Sequence, residues 1–221
     1  MAVWWAIGSV LLTLLHGLLI VPRLPEPPDG ADLGKLTYAA LITPRRLAGL
    51  ATMTVAAQAV MPFIAPEGRP LWLVYNSAVA ALVWVDACTT WLPSKLSWLV
   101  TAELTAAAVV ALILTTNRPQ LAAQLLLGAG VAWLLWWTFY HISRGGFGFG
   151  DVRLAPLTGA MAATMGASGW FAALLASSVL GALWGLVASR RRPAPGTATG
   201  FAYGPWLWVG PYVALAWAVL T

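Results

Sequence analysis

The chain has 221 residues, of which 60% are hydrophobic and 9% charged, against roughly 45–50% and about 25% in soluble proteins; with a mean hydropathy of +0.80, a soluble globule is excluded and a polytopic membrane protein remains. The net charge of +5, from 12 Lys and Arg against 7 Asp and Glu, reads as loop charge facing the cytoplasm rather than a phosphate-binding surface, so no nucleic-acid partner is expected. The single cysteine, Cys88, excludes a disulfide framework, a CxxC redox pair and a thiolate zinc cluster.

Eight apolar runs of about 16 to 22 residues follow one another, each long enough to cross or nearly cross a core of about 30 Å. The first, 3–21, has no Lys or Arg before it and no small-residue cleavage site ahead of Pro22 and Arg23, so it reads as a retained helix rather than a cleaved signal. The segment 22–46, with Pro22, Pro25, Pro27, Pro28, Pro44 and mixed charges, reads as an extended excursion without a core. Runs over 47–64 and 71–91 come next, the latter carrying Asp86 and Cys88. A Leu92-Pro93 turn leads into 96–115, which holds Glu103. The run 121–141 ends in His141, and the glycine-rich stretch at 145–150 precedes the run 151–165. The last runs are 169–189, with Gly181 and Gly185 spaced for close helix packing, and 204–220, separated by a polar linker at 190–199. The expectation is an all-α transmembrane bundle of about eight helices forming one membrane-embedded domain over 1–221. The 14 Trp are expected mainly as interfacial anchors or lipid-facing bulk.

Loop charge orients the bundle. Arg23, Lys35, Arg45, Arg46, Lys95, Arg144, Arg190, Arg191 and Arg192 lie in odd-numbered connections, with Arg153 just inside the sixth run, whereas the even-numbered connections hold only Arg69 and Arg118. The positive-inside rule then puts the odd connections in the cytoplasm and both termini outside, as expected of a multi-pass membrane protein.

Of the acidic residues, Glu26, Asp29, Asp32 and Glu67 fall in loops, and Asp86, Glu103 and Asp151 fall in or at the edge of apolar runs. An intramembrane carboxylate costs several kcal/mol and marks function by default. Asp86 lies near the cytoplasmic end of the third run and Asp151 at the cytoplasmic start of the sixth, so loop parity puts both on one face. Two carboxylates in a partly dry site tend to hold a single proton, the arrangement by which aspartic proteases activate water with one member and polarise the scissile carbonyl with the other. Glycines at 145, 146, 148 and 150 suit a backbone that approaches another chain closely or adopts positive φ. Glu103 and His16 read as satisfied helix-to-helix polar contacts, and Cys88 as packing. His141, Arg144 and Arg153 flank the glycine turn, where headgroup anchoring is their commonest use. No His or Cys partner stands at metal spacing, so no metal or cofactor is expected.

Gly148, Phe149, Gly150 and Asp151 form a GxGD signature, and the segment from Gly150 to Ala160 resembles the GD-x-K-L segment of prepilin peptidases. Asp86, followed by Leu92 and Pro93, resembles that family's first catalytic aspartate ahead of its Ile-Pro or Leu-Pro turn, and Gly204-Pro205 resembles its Phe-Gly-Pro segment before the last helix. The resemblance covers roughly 71–221. It implies a membrane aspartic endopeptidase that cuts the leader from type IV prepilin or pseudopilin substrates, with Asp86 and Asp151 catalytic and Gly148, Gly150, Arg153 and Pro93 in support. Arg153 stands where the family has Lys, and Tyr203 where it has Phe. The first cytoplasmic loop lacks the paired CxxC motifs of the bifunctional enzymes, so cleavage without N-methylation is expected. A presenilin-like intramembrane protease and a transporter or proton relay using the same carboxylates are the alternatives.

Overall fold

The computed structural model describes residues 2–26, 36–143, 148–190 and 202–220; Pro27, Pro28, Asp29, Asp32, Lys35, Arg144, Gly145, Gly146, Arg191, Arg192 and most of the 190–199 linker lie outside the described residues. Eight helices account for the fold, with no strand among the described residues. Helix α1 spans Ala2–Leu15 and continues through a π turn, His16–Ile20, and a 3-10 turn, Val21–Arg23. Helix α2 is Pro44–Ala57, extended in 3-10 form by Gln58–Phe63. Helix α3 is Pro66–Thr89, interrupted by a π turn at Tyr75–Val79. Then come α4 (Ser94–Leu114), α5 (Arg118–Ile142), α6 (Phe149–Ala163), α7 (Gly166–Ser189) and α8 (Gly204–Leu220). Among the described residues, α1, α3, α4, α5 and α7 are long and apolar enough to cross a membrane.

Prolines and short polar caps set the boundaries. Pro44 is the first residue of α2 and the Thr43 hydroxyl accepts the Arg46 amide there, a Pro and cap pairing suited to a helix start. Pro93 caps α4, and Pro119 and Pro205 are the second residues of α5 and α8. Helix α3 stops because Thr90 adopts the left-handed conformation, at φ 56°, while the Thr89 hydroxyl accepts the Trp91 amide at 3.2 Å. Gly166, at φ +79°, makes the tight turn from α6 into α7, a conformation that costs glycine little.

Helix α3 is the centre of the bundle: 83% of its apolar window is buried, against 17–33% for the other four spans. Around it, α5 packs on α6 and α7 on α8 most extensively, with α6 also against α8 and α1 against α2. Helices α5 and α6 meet at Gly128 and Gly159, where a Cβ on either residue would run into the other's carbonyl. Without a hydrophobic drive between helices in lipid, such backbone proximity and its dispersion contacts replace it.

One expectation needs correcting. The 22–46 segment is not wholly coreless: Tyr38 and Leu41 are buried in one cluster with Val21, the latter in a 3-10 turn, Ala39–Leu41, that packs against the Val21–Arg23 turn. Arg45 and Arg46 accordingly belong to the first turn of α2. Of the 14 tryptophans, Trp72, Trp84, Trp136 and Trp208 are buried in the core and the rest are exposed or half-buried. Composition cannot separate the two cases, because in a membrane protein a lipid-facing surface is as apolar as the interior.

Candidate active site

Asp86 sits in the last turn of α3 and Asp151 in the first turn of α6, and both are buried, at 4% and 7% exposure. The two carboxylates lie close enough for the charge on Asp86 to act on Asp151. Leu92, in the turn after α3, is the element that joins them. Its side chain occupies the space where a Cβ on Gly150 would stand, with Leu92 Cδ1 at 2.8 Å, and its carbonyl accepts from Arg153 at 3.4 Å. Gly150 is therefore glycine for close approach, not for positive φ. Arg153 also lies over the Phe149 ring, 5.0 Å from its centroid, so its guanidinium ties the start of α6 to the turn that follows Asp86.

The third side of the site is the beginning of α8. The Gly204 amide donates to Asp86 Oδ2 at 2.9 Å, and a Cβ on Gly204 would stand 2.6 Å from that oxygen and 3.3 Å from Leu154 Cδ2. Leu154 is one turn beyond Asp151 on α6, so one glycine contacts the carboxylate of one motif and the helix of the other. A helix N-terminus presents unpaired N–H groups and positive potential, and a carboxylate there is held in a fixed orientation. Gly148, the residue before α6, accepts the Asp151 amide at 3.1 Å, and a Cβ on it would lie 3.7 Å from Asp151 Oδ2.

The remaining polar residues separate from this site. His16 Nε2 is 3.0 Å from Glu103 Oε2, and its Nδ1 contacts the Leu12 carbonyl at 2.8 Å, which joins α1 to α4 as the polar reading of both residues anticipates. His141 packs its ring on Trp137 and Tyr140. Cys88 is half-buried. No group of three His, Cys, Asp or Glu side chains able to hold a metal exists among the described residues.

The sequence reading lists Asp86, Asp151, Gly148, Gly150, Arg153 and Pro93, and the structure brings all of them to one end of the bundle. It omits Leu92 as the clamp and the Gly204 amide as a ligand of Asp86. The Gly-Pro pair at the head of an apolar run is the signal for the second. No protein-family model, curated protein or solved structure matches this chain.

Proposed function

We propose that this chain is a membrane aspartic endopeptidase that removes the leader of type IV prepilin or pseudopilin substrates at the cytoplasmic face of the inner membrane. The observation that carries the reading is the convergence of Asp86 and Asp151, from helices separated in sequence, on one buried site closed by the Gly204 amide. In that reaction the ionised member of the pair takes a proton from water while the protonated member donates to the scissile carbonyl. The proton then passes to the leaving amine as the tetrahedral intermediate collapses.

The motif resemblance supports the same reading, and so does the contact of the Leu92-Pro93 turn with Gly150, which favours the leader-peptidase type over a presenilin-like protease. Both carboxylates stand at one end of the bundle rather than along a path across it, which argues against a proton relay. The bias of basic residues toward odd connections supports an orientation with that end in the cytoplasm and both termini outside. Purified protein in lipid, incubated with candidate prepilins, should yield a new N-terminus by mass at the leader boundary. Absence of such a product across prepilin, pseudopilin and competence-type substrates would sink the assignment.

A further inference from the structure

At the end of the bundle opposite the two carboxylates, the head of α3 and the start of α5 enclose a cavity of about 360 Å³, inside the range of roughly 300–1,000 Å³ typical of ligand sites. Its floor is apolar and buried, formed by Leu71 and Trp72 on α3 and Leu215 on α8. Its rim is polar: Glu67 in the first turn of α3, Thr115, Asn117, Gln120 and Gln124 around the start of α5, and Thr164 from the turn between α6 and α7. Glu67 is the one charged residue in that lining. It is half-buried and makes no ion pair among the described residues, while Arg69, two residues on, donates its Nε–H to the Ile64 carbonyl at 3.2 Å. A hollow rich in side-chain oxygens whose single charge is negative suits a cation that donates hydrogen bonds, and repels an anion.

Gln124 also borders a second hollow, of about 330 Å³. The turn between α6 and α7 is common to both, with Thr164 and Met165 on the first and Ala163 and Gly166 on the second. This second hollow is a groove between α5 and α7, walled by Leu127 and Val131 on one helix and Trp170 and Phe171 on the other, with Gly128 and Ala167 giving it depth. From Gln124 to Val131 it follows α5 for about 10 Å at 1.5 Å per residue, away from the polar cavity and toward the middle of the span. The Trp170 indole already donates to the Gly128 carbonyl at 3.2 Å, so its ring serves the groove as apolar surface. Leu127 and Phe171, at 67% and 66% exposure, leave the groove open on the side that meets lipid.

We propose that the joined hollows bind one phospholipid with a primary-amine headgroup, its ammonium on Glu67 and an acyl chain in the α5–α7 groove. A primary ammonium brings three N–H donors, enough for the carboxylate and for the amide and hydroxyl oxygens beside it. A quaternary ammonium brings none and is held instead by aromatic cages. The lipid phosphate, a short link from the ammonium, lies toward the mouth beside Asn117, where Arg118 is exposed at the head of α5. Bound this way, the lipid braces the head of α3 against α5 and the α6–α7 turn. The site is independent of the peptidase chemistry at the other end of the bundle.

The test takes the full chain, freed of lipid in detergent, and titrates it with phosphatidylethanolamine, phosphatidylcholine or phosphatidylglycerol of identical acyl chains, with bound lipid counted by native mass spectrometry. Phosphatidylethanolamine should bind about tenfold more tightly than either of the others. Glu67→Gln should weaken phosphatidylethanolamine about tenfold and leave phosphatidylcholine unchanged. Ala167→Phe, which fills the groove from an exposed position on α7, should weaken both of these lipids about fivefold, and Val131→Trp repeats the test from α5. Glycerophosphoethanolamine, the same head without acyl chains, should displace less than half of the bound lipid at about a hundredfold excess. Equal binding of the three lipids by wild type, or an unchanged preference in Glu67→Gln, overturns the headgroup assignment, and the wild-type preference decides it alone if that variant does not fold. Wild-type affinity in both filled variants overturns the groove. Full displacement by the water-soluble head means that the cavity takes a free amine and overturns the lipid assignment.

Discussion

Tyr75 and Trp208 bond each other's backbone: the Tyr75 hydroxyl donates to the Trp208 carbonyl at 2.9 Å, and the Trp208 indole donates to the Tyr75 carbonyl at 3.3 Å. Tyr75 opens the π turn of α3, where the widened turn disturbs the regular carbonyl pairing, and the indole supplies the partner. Trp208 is one turn beyond Gly204. The exchange therefore fixes where α8 lies along α3, and with it the distance from the Gly204 amide to Asp86.

Asp86→Asn and Asp151→Asn should each abolish leader cleavage while insertion and yield stay at wild-type level. Each role in the pair needs a carboxyl that exchanges a proton, and removing one member of a concerted unit costs about as much as removing both. Mass analysis of the reporter N-terminus after incubation with each variant checks this, and near-normal turnover by either would remove the pair from the chemistry.

Gly204→Ala should inactivate the protein where Gly148→Ala does not. The added methyl would stand 2.6 Å from Asp86 Oδ2 in the first case, whereas in the second the nearest atom among the described residues is Asp151 Oδ2 at 3.7 Å. Reporter cleavage by the two variants, side by side, reads the difference. Gly150→Ala belongs between them, and pairing it with Leu92→Ala should recover part of the loss, because the clash is with that side chain and contacting residues couple by about 0.5–3 kcal/mol.

Tyr75→Phe leaves the buried Trp208 carbonyl without its donor and should cost about 1–3 kcal/mol of stability. Thermal unfolding in detergent measures it, and kcat/KM should fall as well if α8 shifts along α3. A melting temperature equal to wild type would show that the exchange does not hold the two helices.

His16→Ala or Glu103→Leu should destabilise the protein because either leaves its partner buried or half-buried without a counterpart, a loss of about 3–5 kcal/mol when such a pair is fully enclosed. With the Glu103 side chain 26% exposed, the lower end of that range applies to Glu103→Leu, which strands the fully buried His16, and less to His16→Ala. The double variant should be milder than the sum. Turnover per folded molecule should stay at the wild-type value, since neither residue reaches the carboxylate site.

Cysteine labels introduced at Pro25 and Ala194 should react only from the cytoplasmic side. The expectation rests on loop charge, with only Arg69 and Arg118 among the Lys and Arg residues falling in even-numbered connections. Reaction from the periplasmic side at either position would invert the bundle and remove the site from its proposed substrates.

The helices were legible because each is a long apolar run punctuated by proline or glycine; the last run matches its helix, and the ends of the other seven shift by only a few residues because hydropathy marks the lipid core and not the last hydrogen-bonded turn. Asp86 and Asp151 stood out for a related reason: ionisable groups are expensive in such runs, and the parity of the loops put both on one side. The partner of Asp86 did not stand out. It is a main-chain amide 118 residues further along, and a backbone donor leaves no mark of its own in residue type. The burial of Tyr38 and Leu41 was hidden by the prolines around them, which read as a chain that packs on nothing.

The long sequence separation between Asp86 and Gly204 has a consequence for biogenesis. During synthesis α3 enters the bilayer early, bearing Asp86, Asn76 and Ser77, all of them buried in the finished bundle, before the helices that will cover it exist. The amide that holds Asp86 and the Tyr212 hydroxyl that reaches Asn76 both arrive with α8, which follows the other seven described helices in the chain. A ribosome paused between α7 and α8 therefore holds a chain whose polar core is still open, and the site around Asp86 and Asp151 closes only when α8 joins the seven described helices before it.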